Sequence, residues 1–115
     1  MVSESKLWFL FIVAALILLV FLGIHLGYMH LDNILGISDP LDYHNVKARG
    51  QDTFWLVSYL ILLVAALYHG MYGLRTILLE HFPQNLKFIN GLIGIIGFLA
   101  LILGSYVVIY SYIGG

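Results

Sequence analysis

Three long apolar stretches constrain what this chain can fold into more than any other feature of its sequence. They cover about residues 7–29, 53–80 and 86–113. Each is at least as long as the roughly 20 residues that an α-helix needs to cross a hydrocarbon core of about 30 Å. The sequence therefore predicts an all-α membrane protein, with one membrane-anchor domain over residues 1–115 and three transmembrane helices.

The composition supports the bilayer as the solvent of this chain. Of its 115 residues, 62% are hydrophobic and 10% are charged, whereas soluble domains average roughly 45–50% apolar and about 25% charged residues. A chain this short buries only a modest fraction of its surface when it folds alone. Its net charge of −1, without a basic patch, indicates no nucleic-acid partner. It has no cysteine, which excludes disulfides and a cysteine-bound iron–sulfur cluster.

The segment between the first two stretches, about residues 31–52, is polar and contains glycine and proline, so it is predicted as a surface loop with room for one short interfacial turn. The first stretch follows a lysine, as a secretory signal does, but it is too long for a signal core and is predicted as a permanent helix. Positive charges favour a cytoplasmic or matrix N-terminus. Three lie towards that side and two towards the other: Lys6, Arg75 and Lys87 against Lys47 and Arg49.

Glycines recur along the third stretch. Gly97 and Gly104 are seven residues apart and therefore share one helix face. Small residues allow helices to approach closely inside a membrane, so we expect a packing face there. The alternative is that membrane helices simply tolerate glycine.

Two histidines lie within or near the predicted membrane core, at different depths. His69 follows Trp55 by fourteen residues, or ~21 Å of helix, which leaves it ~9 Å from the side where the chain begins. His25 follows Trp8 by seventeen residues and lies ~25 Å from that side. Metal–nitrogen bonds are ~2 Å long, so the two histidines cannot hold one iron together.

The neighbours of His69 indicate a b-type haem site. Polar side chains inside a membrane are costly unless they face a partner, a cavity or a cofactor. Gly73, Thr76 and Glu80 follow His69 along one helix face. Gly73 leaves space for a flat macrocycle beside the imidazole, and Arg75 is placed to pair with a haem propionate or an anionic lipid.

Glu80 and His81 form a proton-capable pair at the end of the second stretch, where a quinone headgroup could be met. Each assignment has a plainer alternative. His69 is then a hydrogen-bonding residue between helices, His25 an interfacial histidine, and Arg75 a snorkelling anchor. Glu80 and His81 are then ordinary solvated residues at a helix end.

The segment 67–81, with sequence LYHGMYGLRTILLEH, resembles the hydrophobic anchor subunits of succinate dehydrogenase and fumarate reductase, particularly the smaller "D"-type anchor. That family has a histidine, a glycine four residues later, and an acidic–aromatic pair eleven and twelve residues after the histidine. The resemblance implies that His69 is an axial haem ligand and Gly73 the clearance glycine. Glu80 replaces the usual aspartate, and His81 stands where a quinone-binding tyrosine is expected.

The resemblance also implies the role of the chain and its partners. The chain would be a non-catalytic subunit of a succinate:quinone oxidoreductase, in a bacterial or archaeal cytoplasmic membrane or the mitochondrial inner membrane. Its partners would be membrane lipid, an iron–sulfur subunit, a flavoprotein subunit, and a second hydrophobic anchor subunit that completes the helical bundle and supplies the other axial ligand. Its cofactor would be haem b, with a second haem at His25 in two-haem members, and quinone would be the substrate.

Two other functions stay open on the sequence. One is a cytochrome b-type anchor of another respiratory oxidoreductase, although such anchors usually have more spans and more intramembrane histidines. The other is a haem-free membrane scaffold or assembly protein, in which His69 only forms a hydrogen bond between helices.

Overall fold

The computed structural model describes residues 3–114, and every regular element in that range is a helix. Three of the helices are long and apolar enough to cross a membrane, which confirms the predicted all-α, three-span fold class. The elements are α1 (Glu4–Ile34), α2 (Tyr43–Gly50), α3 (Thr53–His81), a 3-10 turn (Pro83–Asn85) and α4 (Leu86–Tyr112).

Polar caps fix where the first three helices begin. The side chain of Ser3 accepts a hydrogen bond from the backbone N–H of Lys6, at the start of α1. Asp42 and Asp52 cap α2 and α3 in the same way. Such caps satisfy backbone donors that have no partner inside the helix. The two capped membrane helices, α1 and α3, therefore begin directly after a polar capping residue.

The segment predicted as a surface loop is more ordered than its composition indicated. Helix α1 continues to Ile34, and the buried carboxylate of Asp32 accepts a hydrogen bond from the hydroxyl of Ser38. Gly36 turns the chain with a φ of 67°, a conformation that glycine adopts without steric cost. The eight residues of α2 follow. This short helix is polar, so no apolar period in the sequence predicted it.

Helix α3 is the middle helix. Both α1 and α4 pack on α3, whereas within residues 3–114 no Cα atom of α1 lies within 8 Å of one in α4. Helix α2 packs on α3 and α4 at the end where α3 begins. The three membrane helices therefore form an open layer around α3.

Glycines bring α4 close to α3. A Cβ atom at Gly104 would lie 2.7 Å from the Cδ1 atom of Leu63, and one at Gly97 would lie 3.4 Å from the Cγ atom of Met71. Gly50 of α2 packs against Ser111 of α4 with no room for a side chain. The predicted packing face on the third stretch is therefore used, and it faces α3.

Candidate functional site

His69 lies in α3 and faces α1. Its imidazole stacks on the ring of Phe11, with the ring centroids 4.4 Å apart and an interplanar angle of 2°. Its Nδ1 atom is buried and has no hydrogen-bond partner. A buried polar atom without a partner costs about 1–3 kcal/mol. Among the residues that the structure describes, Nδ1 therefore forms no hydrogen bond to another helix, as the alternative role of His69 would require of a ring nitrogen.

The imidazole of His69 borders an open groove of about 370 Å³ on the surface of α1. The other residues that line this groove have aliphatic side chains or none: Ala15, Leu18, Leu19, Leu22, Gly23 and Leu26. These walls offer no side-chain hydrogen bond to the imidazole. One imidazole beside an apolar surface fits a haem, which takes axial histidine ligands and apolar contacts along its ring. No group of three or more metal-ligating side chains was found in residues 3–114.

Gly73 lies one turn beyond His69 and faces the same aromatic ring. A Cβ atom at Gly73 would lie 3.6 Å from the Cε2 atom of Phe11, which is an ordinary van der Waals distance. The space beside Gly73 is therefore bordered by α1. Phe11, which was not predicted from the sequence as a site residue, stacks on His69 and lies beside Gly73.

Arg75 joins the three membrane helices on the side where α1 begins. Its Nη2 atom lies 2.8 Å from Oε1 of Glu4 in α1, and its Nε donates a 2.6 Å hydrogen bond to Oδ1 of Asn90 in α4. The hydroxyl of Tyr72 also donates to Glu4, at 3.4 Å. A haem propionate or an anionic lipid was predicted beside Arg75 from the sequence, whereas the structure gives Arg75 a carboxylate and an amide of its own chain.

A second polar contact ties α1 to α3. The hydroxyl of Tyr68 donates a 2.6 Å hydrogen bond to the backbone carbonyl of Leu7. Sequence reasoning missed this contact and the partners of Arg75. Glu4 and Asn90 are polar residues near the same membrane face as Arg75, which is a signal that would have grouped them.

Glu80 and His81 are exposed at the end of α3. Glu80 borders an open surface groove of about 350 Å³, which is also lined by Glu4, Tyr72 and Arg75. The Nδ1 atom of His81 lies 3.0 Å from the backbone carbonyl oxygen of Ile77. The structure therefore brings Glu80, and not His81, next to Glu4, Tyr72 and Arg75.

His25 lies at the other end of the layer, beside the beginning of α3. The edges of two aromatic rings surround it: Trp55, with centroids 6.0 Å apart, and Tyr59, at 5.4 Å. Its Nδ1 atom is also buried without a hydrogen-bond partner. Phe11, the neighbour of His69, precedes His25 by fourteen residues on α1, or about 21 Å of helix. The structure thus separates the two histidines.

A buried cation lies near His25. The guanidinium of Arg49 donates a 2.8 Å hydrogen bond to the backbone carbonyl of Pro40, and it lies 5.9 Å from the centroid of the Tyr28 ring. Its Nε atom is buried without a partner. The His25 end of the layer therefore combines aromatic rings with the guanidinium of Arg49. The His69 end combines an imidazole stacked on a phenyl ring with the guanidinium of Arg75, which is paired with a carboxylate.

The chain was compared with known families and proteins. A family model described as "Succinate dehydrogenase/Fumarate reductase transmembrane subunit" matches residues 2–104. This range includes the whole of α1, α2 and α3 and most of α4. Searches of curated proteins and of solved structures found no match.

Proposed function

The chain belongs to the succinate dehydrogenase/fumarate reductase transmembrane subunit family, and on this premise we propose that it ligates b-type haem and helps to form a quinone site. The observation that carries the proposal is the imidazole of His69. It lies within a membrane-spanning helix beside an apolar groove whose walls offer it no hydrogen-bonding side chain. An intramembrane histidine of this kind is expected to serve a function.

A haem held by His69 would supply a one-electron carrier between the iron–sulfur subunit and quinone. His69 would hold the iron from α3. The aliphatic side chains along α1 would exclude water and lower the local dielectric, which tunes a metal site. His25 is too far along the layer to serve as the second ligand of the same iron. A second protein ligand would therefore come from outside this chain, from a second anchor subunit.

The quinone headgroup would lie near the end of α3, on the side where α1 begins. Reduction of a quinone consumes two electrons and two protons. Glu80 and His81 are exposed at this end and can pass protons from water. Glu80 also borders a groove with Arg75, whose guanidinium has five N–H donors and keeps two beyond its bonds to Glu4 and Asn90, suited to a quinone carbonyl.

The remaining subunits follow from the same proposal. An iron–sulfur subunit and a flavoprotein subunit would dock on the cytoplasmic or matrix side, where α1 begins, and would handle the dicarboxylate. His25 is the position for a second haem, if the complex holds two. Its surroundings include Arg49, a cation suited to a carboxylate from outside the chain.

The test is to purify the complex through a tag on this chain, identify the subunits, and measure haem per complex and succinate-dependent quinone reduction. We expect His69→Ala to remove nearly all haem that depends on this chain. His44→Ala, at an exposed position of α2, is the matched control and should keep it. An intact His69→Ala complex with its full haem content would reject the ligand assignment. A wild-type complex without haem would favour the scaffold.

A further inference from the structure

We propose that Phe11 is a positioning residue that fixes the plane of the His69 imidazole. The inference rests on the proposed function, because it assumes that His69 is a haem ligand. It goes beyond that function by assigning a role to a residue on α1. Phe11 would act through His69 and would itself touch no reacting atom.

An axial imidazole needs something to hold its plane. The χ2 torsion of histidine has a broad energy profile, so the torsion itself does not fix the plane of the ring. Metal-bound histidines are usually oriented by a hydrogen bond from the second ring nitrogen. The Nδ1 atom of His69 has no such partner, and the aliphatic groove beside it supplies none.

The ring of Phe11 supplies the missing constraint. The two planes are parallel within 2°, and their centroids are 4.4 Å apart. A face-to-face contact at this distance leaves no room for the imidazole to rotate about χ2 unless Phe11 moves. The edge contacts around His25, at 75° and 77°, impose no parallel plane on that ring.

Phe11 is itself held in place. Its ring is half-buried, lies 5.2 Å from the ring of Tyr72, and faces the bare backbone of Gly73. The hydroxyl of Tyr72 in turn donates a hydrogen bond to the carboxylate of Glu4. The ring of Phe11 is therefore bordered at two positions of α3 other than His69, and its orientation passes to His69.

The experiment uses the tagged complex with substitutions at Phe11. Phe11→Leu removes the aromatic face and keeps an apolar side chain, whereas Phe11→Tyr keeps the face. Phe9→Leu makes the same change at an exposed position of α1 and is the matched control. The readouts are the low-spin electron paramagnetic resonance signal and the midpoint potential of the haem, which respond to the orientation of the axial ligand.

We expect Phe11→Leu to shift and broaden the low-spin signal and to shift the midpoint potential, or to lose haem. Phe11→Tyr and Phe9→Leu should match the wild type. The inference is overturned if Phe11→Leu and Phe11→Tyr behave alike, or if Phe9→Leu has the same effect as Phe11→Leu. The His69→Ala complex separates the two failures: if it keeps its haem, the ligand assignment itself is wrong.

Discussion

Helix α3 contacts its two neighbours by different chemistry. Towards α1 it presents rings and a hydroxyl: His69 stacks on Phe11, and Tyr68 donates to a backbone carbonyl. Towards α4, within the membrane core, it presents leucine and methionine side chains to glycines. The candidate haem ligand therefore lies on the α1 side of α3, whereas the α4 side serves close packing within the membrane core.

The difference reflects how helices associate in hydrocarbon. Lipid tails are as apolar as leucine, so burying apolar surface between two helices gains little, and packing and hydrogen bonds decide instead. The α4 side depends on the absence of side chains at Gly97 and Gly104. The α1 side depends on the orientation of particular rings. We therefore expect added volume to damage the first interface, and lost functional groups to damage the second.

The largest expected effect is on the α4 side. Gly104→Leu would place atoms where Leu63 already lies, because even a Cβ there is 2.7 Å from Leu63 Cδ1. We expect a loss of about 3 kcal/mol in stability, the upper range for overpacking. Gly91→Leu, at a position with no neighbour within 4 Å, is the control. Thermal unfolding of the purified complex by circular dichroism measures both, and equal losses would contradict the packing difference.

A smaller effect is expected on the α1 side from Tyr68→Phe. The change keeps the ring and removes the 2.6 Å hydrogen bond to the carbonyl of Leu7. Hydrogen bonds between membrane helices contribute about 0.6–1.7 kcal/mol, so we expect a loss of about 1 kcal/mol in the same unfolding measurement. Tyr106→Phe, on an exposed ring of α4, should change nothing. If the two variants are equally stable, the hydroxyl does not hold α1 on α3.

The smallest effect on stability is expected from Gly73→Ala, the counterpart on the α1 side of the change at Gly104. A Cβ at Gly73 meets Phe11 at 3.6 Å, an ordinary contact, so the stability should stay within about 0.5 kcal/mol of the wild type. The family resemblance assigns Gly73 to haem clearance, and this role predicts that the haem content should nevertheless fall. Optical haem quantification of the folded complex tests this, and full haem content would remove the clearance role.

Much of the fold was predictable because it depends on composition along the chain. The three apolar stretches indicated α1, α3 and α4, since a bilayer requires long apolar helices. Counting residues from Trp8 and Trp55 indicated that His25 and His69 lie at different depths. The seven-residue spacing of Gly97 and Gly104 indicated one packing face. Each of these inferences needs only the residues of one helix and the geometry of the α-helix.

The contacts between helices were not predictable in this way. The stack of Phe11 on His69 depends on the vertical register of α1 against α3, which no residue count within one helix supplies. The same holds for Arg75, whose partners Glu4 and Asn90 come from two other helices. The short helix α2 was missed for another reason, because a polar eight-residue segment carries no apolar period.

The cluster formed by Glu4, Arg75 and Asn90 also bears on biogenesis. Its three members belong to helices that the ribosome synthesises one after another. The carboxylate of Glu4 therefore lacks Arg75 as a partner until the last part of α3 has been synthesised. The amide of Asn90 arrives only with α4. The complete cluster therefore forms only when all three spans are present, and a chain truncated before α4 would lack its amide.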